Sequence, residues 1–507
     1  MQVAVTKKGE ELRAVFKTAL EILDRIRESS SSEVAGFLTG LEGGYVEPGY
    51  SGALTRGKIE VLPTGRNFFA VDPTQLPSPS AWKIGVESAE KLIKYYMERH
   101  GKYPESVGEV LWSIDAYKAD GEQLAQILYL LGVRPTWDSS GSVRGLEVIP
   151  LKELGRPRID VLVRISGIVR DTLPNYIYLI DEAVAKVVAL DEPYEMNYPR
   201  KHYFENLEKL KAVGADDVEE LARARVFAEP PGAYGAGVNY AVEASAWRTD
   251  EDLAKTWVQW AGYAYTRGSF GKPAHEALLT NLQYVDMVNR NHISDEHDIF
   301  NCCCYFAYHG GFANAAKVVS GKDVEVVTVD TRDISNVDVR GMRDEIERVV
   351  RAKLLNPVWI SEMKKHGYRG ASEFSKKILH LYGWSATTKL VEKWVFDEIA
   401  KTYVLDEEMR RWFMENNIYA LEEIARRLVE AAERGLWKAD KEILEKLRSI
   451  YTEIEAVLEG EIEGEVQGGA IAIFTASDVD MWRNSDAMKR AEDAFEKLKK
   501  ISVRLKA

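Results

Sequence analysis

The stretch from Asn289 to Gly311, NRNHISDEHDIFNCCCYFAYHGG, concentrates the reactive side chains of this sequence. It holds His292, His297 and His309, three of the eight histidines, together with all three cysteines, Cys302, Cys303 and Cys304. Asp295, Glu296 and Asp298 lie among them. Imidazole, carboxylate and thiolate are the groups that hold transition metals or move protons near neutral pH. Their clustering in a histidine-poor chain points to a metal or proton-transfer site. The competing reading is structural, with a histidine bracing a loop and a cysteine run packing as small apolar residues. In a helix, His292 and Glu296 would share a face; in an extended chain, Glu296 and Asp298 would. The sequence leaves both open.

The elements that must position this cluster are many. At 507 residues the chain exceeds a single hydrophobic core, so several domains are expected. Hydrophobic residues make up 46% and charged residues 29%, the balance of an ordinary globular protein. A net charge of −13 argues against a nucleic-acid backbone as partner. No run approaches the roughly twenty apolar residues that cross a bilayer, so no membrane contact and a cytoplasmic location are expected. Adjacent cysteines pair poorly with one another, and reduced thiols fit such a compartment.

Hydrophobic periodicity divides the chain further. Residues 9–28 carry Leu12, Phe16, Leu20 and Leu23 at helical spacing, and SSSSE at 29–33 is expected to end that helix. Residues 1–62 thus read as a helical leader and linker. Residues 63–200 read as an α/β domain, with strands at 106–114, 133–137 and 159–165 and helices at 80–100, 121–131 and 175–189. Such alternation implies a mostly parallel sheet whose functional loops follow the strand C-termini. Two loops fit, DAYKADGEQ after Ile114 and SGIVRD after Ile165. Residues 201–355 read as a mixed, site-bearing domain with a helix over 250–267, a strand at 324–329 and a helix at 339–355. Residues 356–459 read as helical, and 460–507 as an acidic linker and tail closing in a charged helix. The fold class is therefore α/β and multi-domain, a parallel-sheet region followed by a mostly helical C-terminal region. Neither G-x-G-x-x-G nor G-x-x-x-x-G-K-[ST] occurs, so this polypeptide is not expected to hydrolyse ATP itself.

Seven strings in order, PTGRNFFAVDP (63–73), RISGIVRD (164–171), PGAYGAGV (231–238), EHD (296–298), HGG (309–311), NPVWI (356–360) and HGYRGASEF (366–374), resemble the large subunit of cobaltochelatase. That subunit is related to the large subunit of magnesium chelatase. The resemblance spans roughly residues 50 to 440, and the long forms of the family are more than twice this length, so the chain resembles their C-terminal part. The resemblance implies insertion of a divalent metal, cobalt first, into a corrin-type tetrapyrrole. It also implies an AAA+ ATPase subunit that hydrolyses ATP and an integrin-domain-bearing subunit, and the chain is either a split subunit with a separate N-terminal half or a truncated relative. Magnesium or nickel insertion into another tetrapyrrole, and a non-catalytic tetrapyrrole- or metal-binding paralogue, remain as alternatives.

Metal insertion needs a base for the ring N–H protons and ligands that hand over a partly desolvated ion. On this resemblance Glu296 and His297 are the catalytic pair, with Asp298 orienting the imidazole. His297, Glu296, His292, His309 and Cys303 are the metal-ligand candidates. The family pattern places acidic residues where this chain has Cys303 and Cys304, and thiols favour softer metals than magnesium. Arg66, Arg164 and Arg170 are candidates to pair with macrocycle carboxylates; a structural ion pair is the alternative for Arg164. Tyr234 in the Gly-rich loop and Trp260 on the following helix are candidates to contact the ring, against the alternative of core packing.

Overall fold

The computed structural model describes residues 2–50, 52, 54, 58–69, 71–295, 297–459 and 486–504. Glu296 and the expected acidic linker at 460–485 lie outside the described residues.

The leading helix α1 (Gln2–Leu41) runs past the serine cluster. Ser29 Oγ donates back to the Arg25 carbonyl at 2.9 Å, the bond by which a helical serine satisfies its hydroxyl without breaking the helix. A short parallel pair follows, β1 (Pro48–Tyr50) with β2 (Asn67–Phe69). Helix α2 (Pro79–His100) starts on the Ser78 cap, whose hydroxyl accepts from Ala81 N, and stops at left-handed Gly101.

From there the chain builds one eight-stranded sheet. Strand β3 (Ser106–Leu111) leads through α3 (Ser113–Lys118) and α4 (Glu122–Leu130) to a separate antiparallel hairpin, β4 (Val133–Trp137) and β5 (Val143–Val148). After the single turn α5 (Leu151–Leu154) comes β6 (Asp160–Ile165), then α6 (Gly167–Thr172), α7 (Pro174–Val188), α8 (Tyr198–Ala212) and α9 (Val218–Arg223). Strand β7 (Val226–Ala228), α10 (Val238–Glu243), α11 (Asp250–Ala261), β8 (Tyr263–Tyr265), β9 (Phe270–Pro273), α12 (His275–Leu282) and β10 (Val285–Asn289) follow. A π-helical turn (Tyr305–Gly310) runs into α13 (Gly311–Ser320), and β11 (Glu325–Asp330) and β12 (Asp338–Gly341) close the sheet. The strand order is β12-β11-β10-β3-β6-β7-β8-β9, with the five central strands parallel and both edges antiparallel.

Two expectations change here. Strands from both 63–200 and 201–355 interleave in this sheet, so the boundary expected at residue 200 falls inside one structural unit. The helix expected over 250–267 ends at Ala261, and Tyr263 and Tyr265 lie on β8.

The central strands read as unbroken apolar runs because helices cover both faces. In β6, Val161, Val163 and Ile165 enter one apolar core and Leu162 the other; in β3, Val107 and Leu111 oppose Val110. Beyond the sheet the chain is helical, as expected: α14 (Met342–Val349), α15 (Pro357–Lys364), α16 (Gly367–Thr388), α17 (Lys393–Ala400), α18 (Glu407–Asn416), α19 (Ile418–Glu433) and α20 (Lys441–Glu459). The closing helix Asp486–Arg504 returns to the sheet region, where Lys497 pairs with Glu276 at 2.8 Å.

Candidate active site

Strand order places the site. From β3 the chain moves to β6 on one side, whereas from β10 it moves to β11 on the other. Two adjacent parallel strands whose connections diverge leave a crevice beyond their C-termini, where open α/β sheets bind ligands. Here Trp112, Ile114, Asp115 and Lys118, following β3, face Arg290, His292, Ile293, Ser294, His297, Cys302 and Tyr305, following β10, around a cavity of about 130 Å³.

The floor of the crevice is braced by buried polar groups. Arg290 is 5% exposed and Asp115 6%, and one Arg290 nitrogen, Nη2, donates to both Asp115 oxygens at 2.8 and 2.6 Å. The guanidinium packs against two aromatic rings that meet edge-to-face, 4.1 Å from the Trp112 ring and 4.6 Å from that of Tyr305. Burial raises the Asp115 pKa even against the Arg290 charge. Trp112 Nε1 and Arg290 Nε are buried donors without a protein acceptor. One layer down, the fully buried Glu109 accepts from Gln123 and Gln126 of α4, each at 2.7 Å, and from Asn289 of β10 at 3.0 Å. Burial pushes its pKa up to about 7. Asn289 Oδ1 also accepts from Val329 N of β11 at 3.0 Å, so a single amide ties three strands together below the crevice.

His292 follows β10 directly and is buried; its N–H donates to the Val329 carbonyl and its Nε2 lies 3.4 Å from Asp295 Oδ1. Arg332 and Arg348 also pair with Asp295; together with His292 they hold that carboxyl below the usual range. His297 is exposed on the cavity wall, and its carbonyl accepts from Tyr305 Oη at 2.9 Å. Asp298 does not orient that imidazole. Its buried carboxylate pairs with Lys353 and Lys377 and accepts from Phe300 N at 2.7 Å. Burial raises its pKa, but the two lysines outweigh burial and leave it lowered. Asp298 therefore anchors the loop to the helical region, which also grips it through His380 Nδ1 to the Phe300 carbonyl (2.6 Å) and Trp384 Nε1 to the Ile299 carbonyl (3.0 Å).

His309, expected as a metal ligand, sits in the core instead. Its Nε2 is engaged with the Val288 carbonyl at 3.1 Å, Trp384 packs edge-on against it, and burial pushes its pKa down to about 4. Cys303 is half-buried at the mouth of the π-helical turn, with its sulfur and those of Cys302 and Cys304 all within 4.8 Å of one another.

The arginines expected to meet substrate carboxylates are engaged by the protein. Arg164 donates to Glu229 Oε2 at 2.6 Å and to the Gly235 carbonyl at 2.9 Å, and lies 4.7 Å from the Tyr308 ring. Glu229 at the end of β7 also accepts from Gly167 N at 2.7 Å and Tyr308 Oη at 3.3 Å, joining three loops. Arg170 is buried beneath the Gly-rich loop, donating to the Pro230 and Ala233 carbonyls at 2.8 and 3.2 Å and to Asp171. Arg66 donates to the Pro63 and Glu60 carbonyls of its own segment. Tyr234 is 54% exposed and donates to Asp171 Oδ2 at 2.7 Å. Trp260 fills the space under the loop at Gly237, where φ is 76° and an added Cβ would meet the indole at 2.2 Å.

Sequence reasoning missed Arg290, Asp115, Trp112, Tyr305 and Glu109. For Trp112, Asp115 and Arg290 the position just after two strands was a readable signal, but the register of β3 against β10, which brings Glu109 and Tyr305 to them, was not.

Comparison with known proteins follows the same outline. The CobN/Magnesium Chelatase family model matches residues 2–444. The chain is 50% identical over 94% of its length to an uncharacterized protein of Methanocaldococcus jannaschii, of which the match covers 38%. It is 38% identical over 88% of its length to the aerobic cobaltochelatase subunit CobN of Pseudomonas aeruginosa, covering 36% of that protein. The solved catalytic subunit of cobaltochelatase from Mycobacterium tuberculosis superposes with a TM-score of 0.82 at 37% identity, covering 86% of this chain and 37% of that one. The chain thus spans little more than a third of the length of these relatives.

Proposed function

Because the chain belongs to the CobN/magnesium chelatase family, we propose that it forms the metal-inserting part of a tetrapyrrole chelatase, with the crevice between β3 and β10 as its insertion site. One observation carries this reading: His292, His297, Cys302 and Asp115, which the sequence scatters over nearly two hundred positions, line a single cavity at the switch point of the sheet.

A cavity of about 130 Å³ takes an ion and the reacting centre, not a whole macrocycle. The ring therefore lies across the mouth, against Trp112 and the exposed Ile114, and the remaining walls come from the rest of a larger subunit. The orphan donors of Trp112 and Arg290 are the groups that would meet a peripheral carboxylate, since buried donors ordinarily have acceptors. His297 accepts pyrrole protons as metal–nitrogen bonds form, and Glu296, its neighbour in sequence, shares that role. The Arg290–Asp115 pair holds the crevice open and fixed in shape. Cobalt is favoured over magnesium because sulfur on the cavity wall suits a softer ion. ATP hydrolysis belongs to partner subunits, an AAA+ ATPase and an integrin-domain-bearing subunit. Among the described residues no helix is long and apolar enough to cross a membrane.

The test is to combine the protein with these partners, Co²⁺, ATP and a metal-free corrin, and to follow the macrocycle absorption spectrum. Conversion to the cobalt spectrum is expected. A complete complex that binds the corrin yet never inserts metal sinks the proposal. His297→Ala is expected to leave macrocycle binding intact while stopping insertion.

A further inference from the structure

We propose that Cys302, Cys303 and Cys304 together form a thiolate site that takes up a thiophilic divalent cation, Co²⁺ first, and presents it to the crevice; the proposal rests on the chelatase reading above.

Three consecutive residues do not ordinarily aim their side chains at one point. Here the run straddles the start of a helical turn: Cys302 precedes it, and Cys303 and Cys304 begin it. The Cys302 sulfur turns back to accept the Cys304 N–H at 3.3 Å. All three sulfurs consequently lie within 4.8 Å of one another. A tetrahedral ion with bonds of about 2.3 Å requires its sulfurs roughly 3.8 Å apart, within reach of small rotamer changes. The Glu243 carboxyl at the end of α10 lies against the Cys303 thiol.

All three thiols pack against the edge of the core yet remain half-buried, and none is in a disulfide. Cys302 also lines the crevice that His292 and His297 line, so an ion on the sulfurs has a direct path to the insertion point. Each thiol that ligates releases its proton to solvent, so uptake is accompanied by acidification.

These are the only cysteines in the chain, which makes the test direct. The reduced, metal-free full-length protein is titrated with Co²⁺, and sulfur-to-cobalt charge-transfer absorption in the near ultraviolet is recorded. Saturation at one equivalent is expected, with intensity corresponding to more than one thiolate. Cys303→Ser is expected to weaken binding by at least the roughly tenfold that even loss of an outer-shell partner brings, and the triple serine variant to lose the band. A wild-type titration without charge transfer overturns the proposal, as does Cys303→Ser or Cys304→Ser binding like wild type. Should the variants not fold, alkylation of the wild-type thiols decides: Co²⁺ must slow it, and unchanged rates overturn the site. Insertion by the complete complex without any thiolate band removes the cysteine site and leaves the chelatase reading standing. A strong thiolate band without insertion does the reverse.

Discussion

Asp115→Asn leaves the Arg290 guanidinium buried against two aromatic rings without a counter-charge. Both partners are nearly inaccessible, at 6% and 5% exposure, and one arginine nitrogen serves both carboxylate oxygens. Two unit charges about 4 Å apart attract by about 4 kcal/mol at an effective dielectric near 20. Removing one partner forfeits that attraction while the other remains desolvated, so a loss of about 3–5 kcal/mol is expected for Asp115→Asn. Arg290→Met should lose a similar amount at pH 7. Its deficit should shrink as pH falls, because an unpaired buried Asp115 takes up a proton in the folded state before it does in the unfolded one. The double variant removes both charges, and methionine sulfur still packs against Trp112 and Tyr305, so its loss should be smaller than either single loss. Urea unfolding followed by tryptophan fluorescence gives all four corners of the cycle. Single losses that add to the double loss within about 0.5 kcal/mol would show the pair uncoupled and refute the reasoning.

Glu109→Gln tests the carboxyl beneath the crevice. Its raised folded pKa of about 7, against 4.5 as a reference, means the folded state binds the extra proton between those values. Its contribution is therefore fully present below about 4.5 and is lost as pH rises through 7, a change of about 3 kcal/mol that the variant should abolish. Parallel stability–pH profiles for the two proteins would contradict it. Gly237→Ala should destabilise the Gly-rich loop by about 2 kcal/mol, combining a left-handed backbone with a clash on Trp260; a melting temperature equal to wild type would show that the indole yields. His297→Ala should separate binding from insertion, with tetrapyrrole fluorescence quenching unchanged while cobalt incorporation is lost.

Much of this architecture is local in origin and was readable. Residues 80–100, 159–165 and 175–189 fold within a residue or two of their expected positions, because apolar period and capping residues act over a few neighbours. The two segments singled out after β3 and β6 do emerge at the C-terminal edge of the sheet, but as the short helices α3 and α6 rather than as loops. The serine run misled because serine hydroxyls can bond back into a helix as well as cap its end, and neighbours alone do not choose between those bonds.

The stretch from Asn289 to Gly311 shows the same division. Its residue types pointed to metal and proton chemistry, and its cysteines and histidines could be counted without a structure. Which of them face one another depended on packing. His309 and Asp298 turned inward because a carbonyl on β10 and two lysines of the helical region satisfy them there. Arg164 and Arg170 were drawn to Glu229 and the carbonyls around it, leaving Arg290, paired with a carboxylate 175 residues away, at the crevice. Buried polar groups must find partners, and those partners come from strand order and register, which depend on contacts between distant segments. The sequence by itself determined the reagents; the tertiary structure decided which of them stand at the switch point and which support it from below.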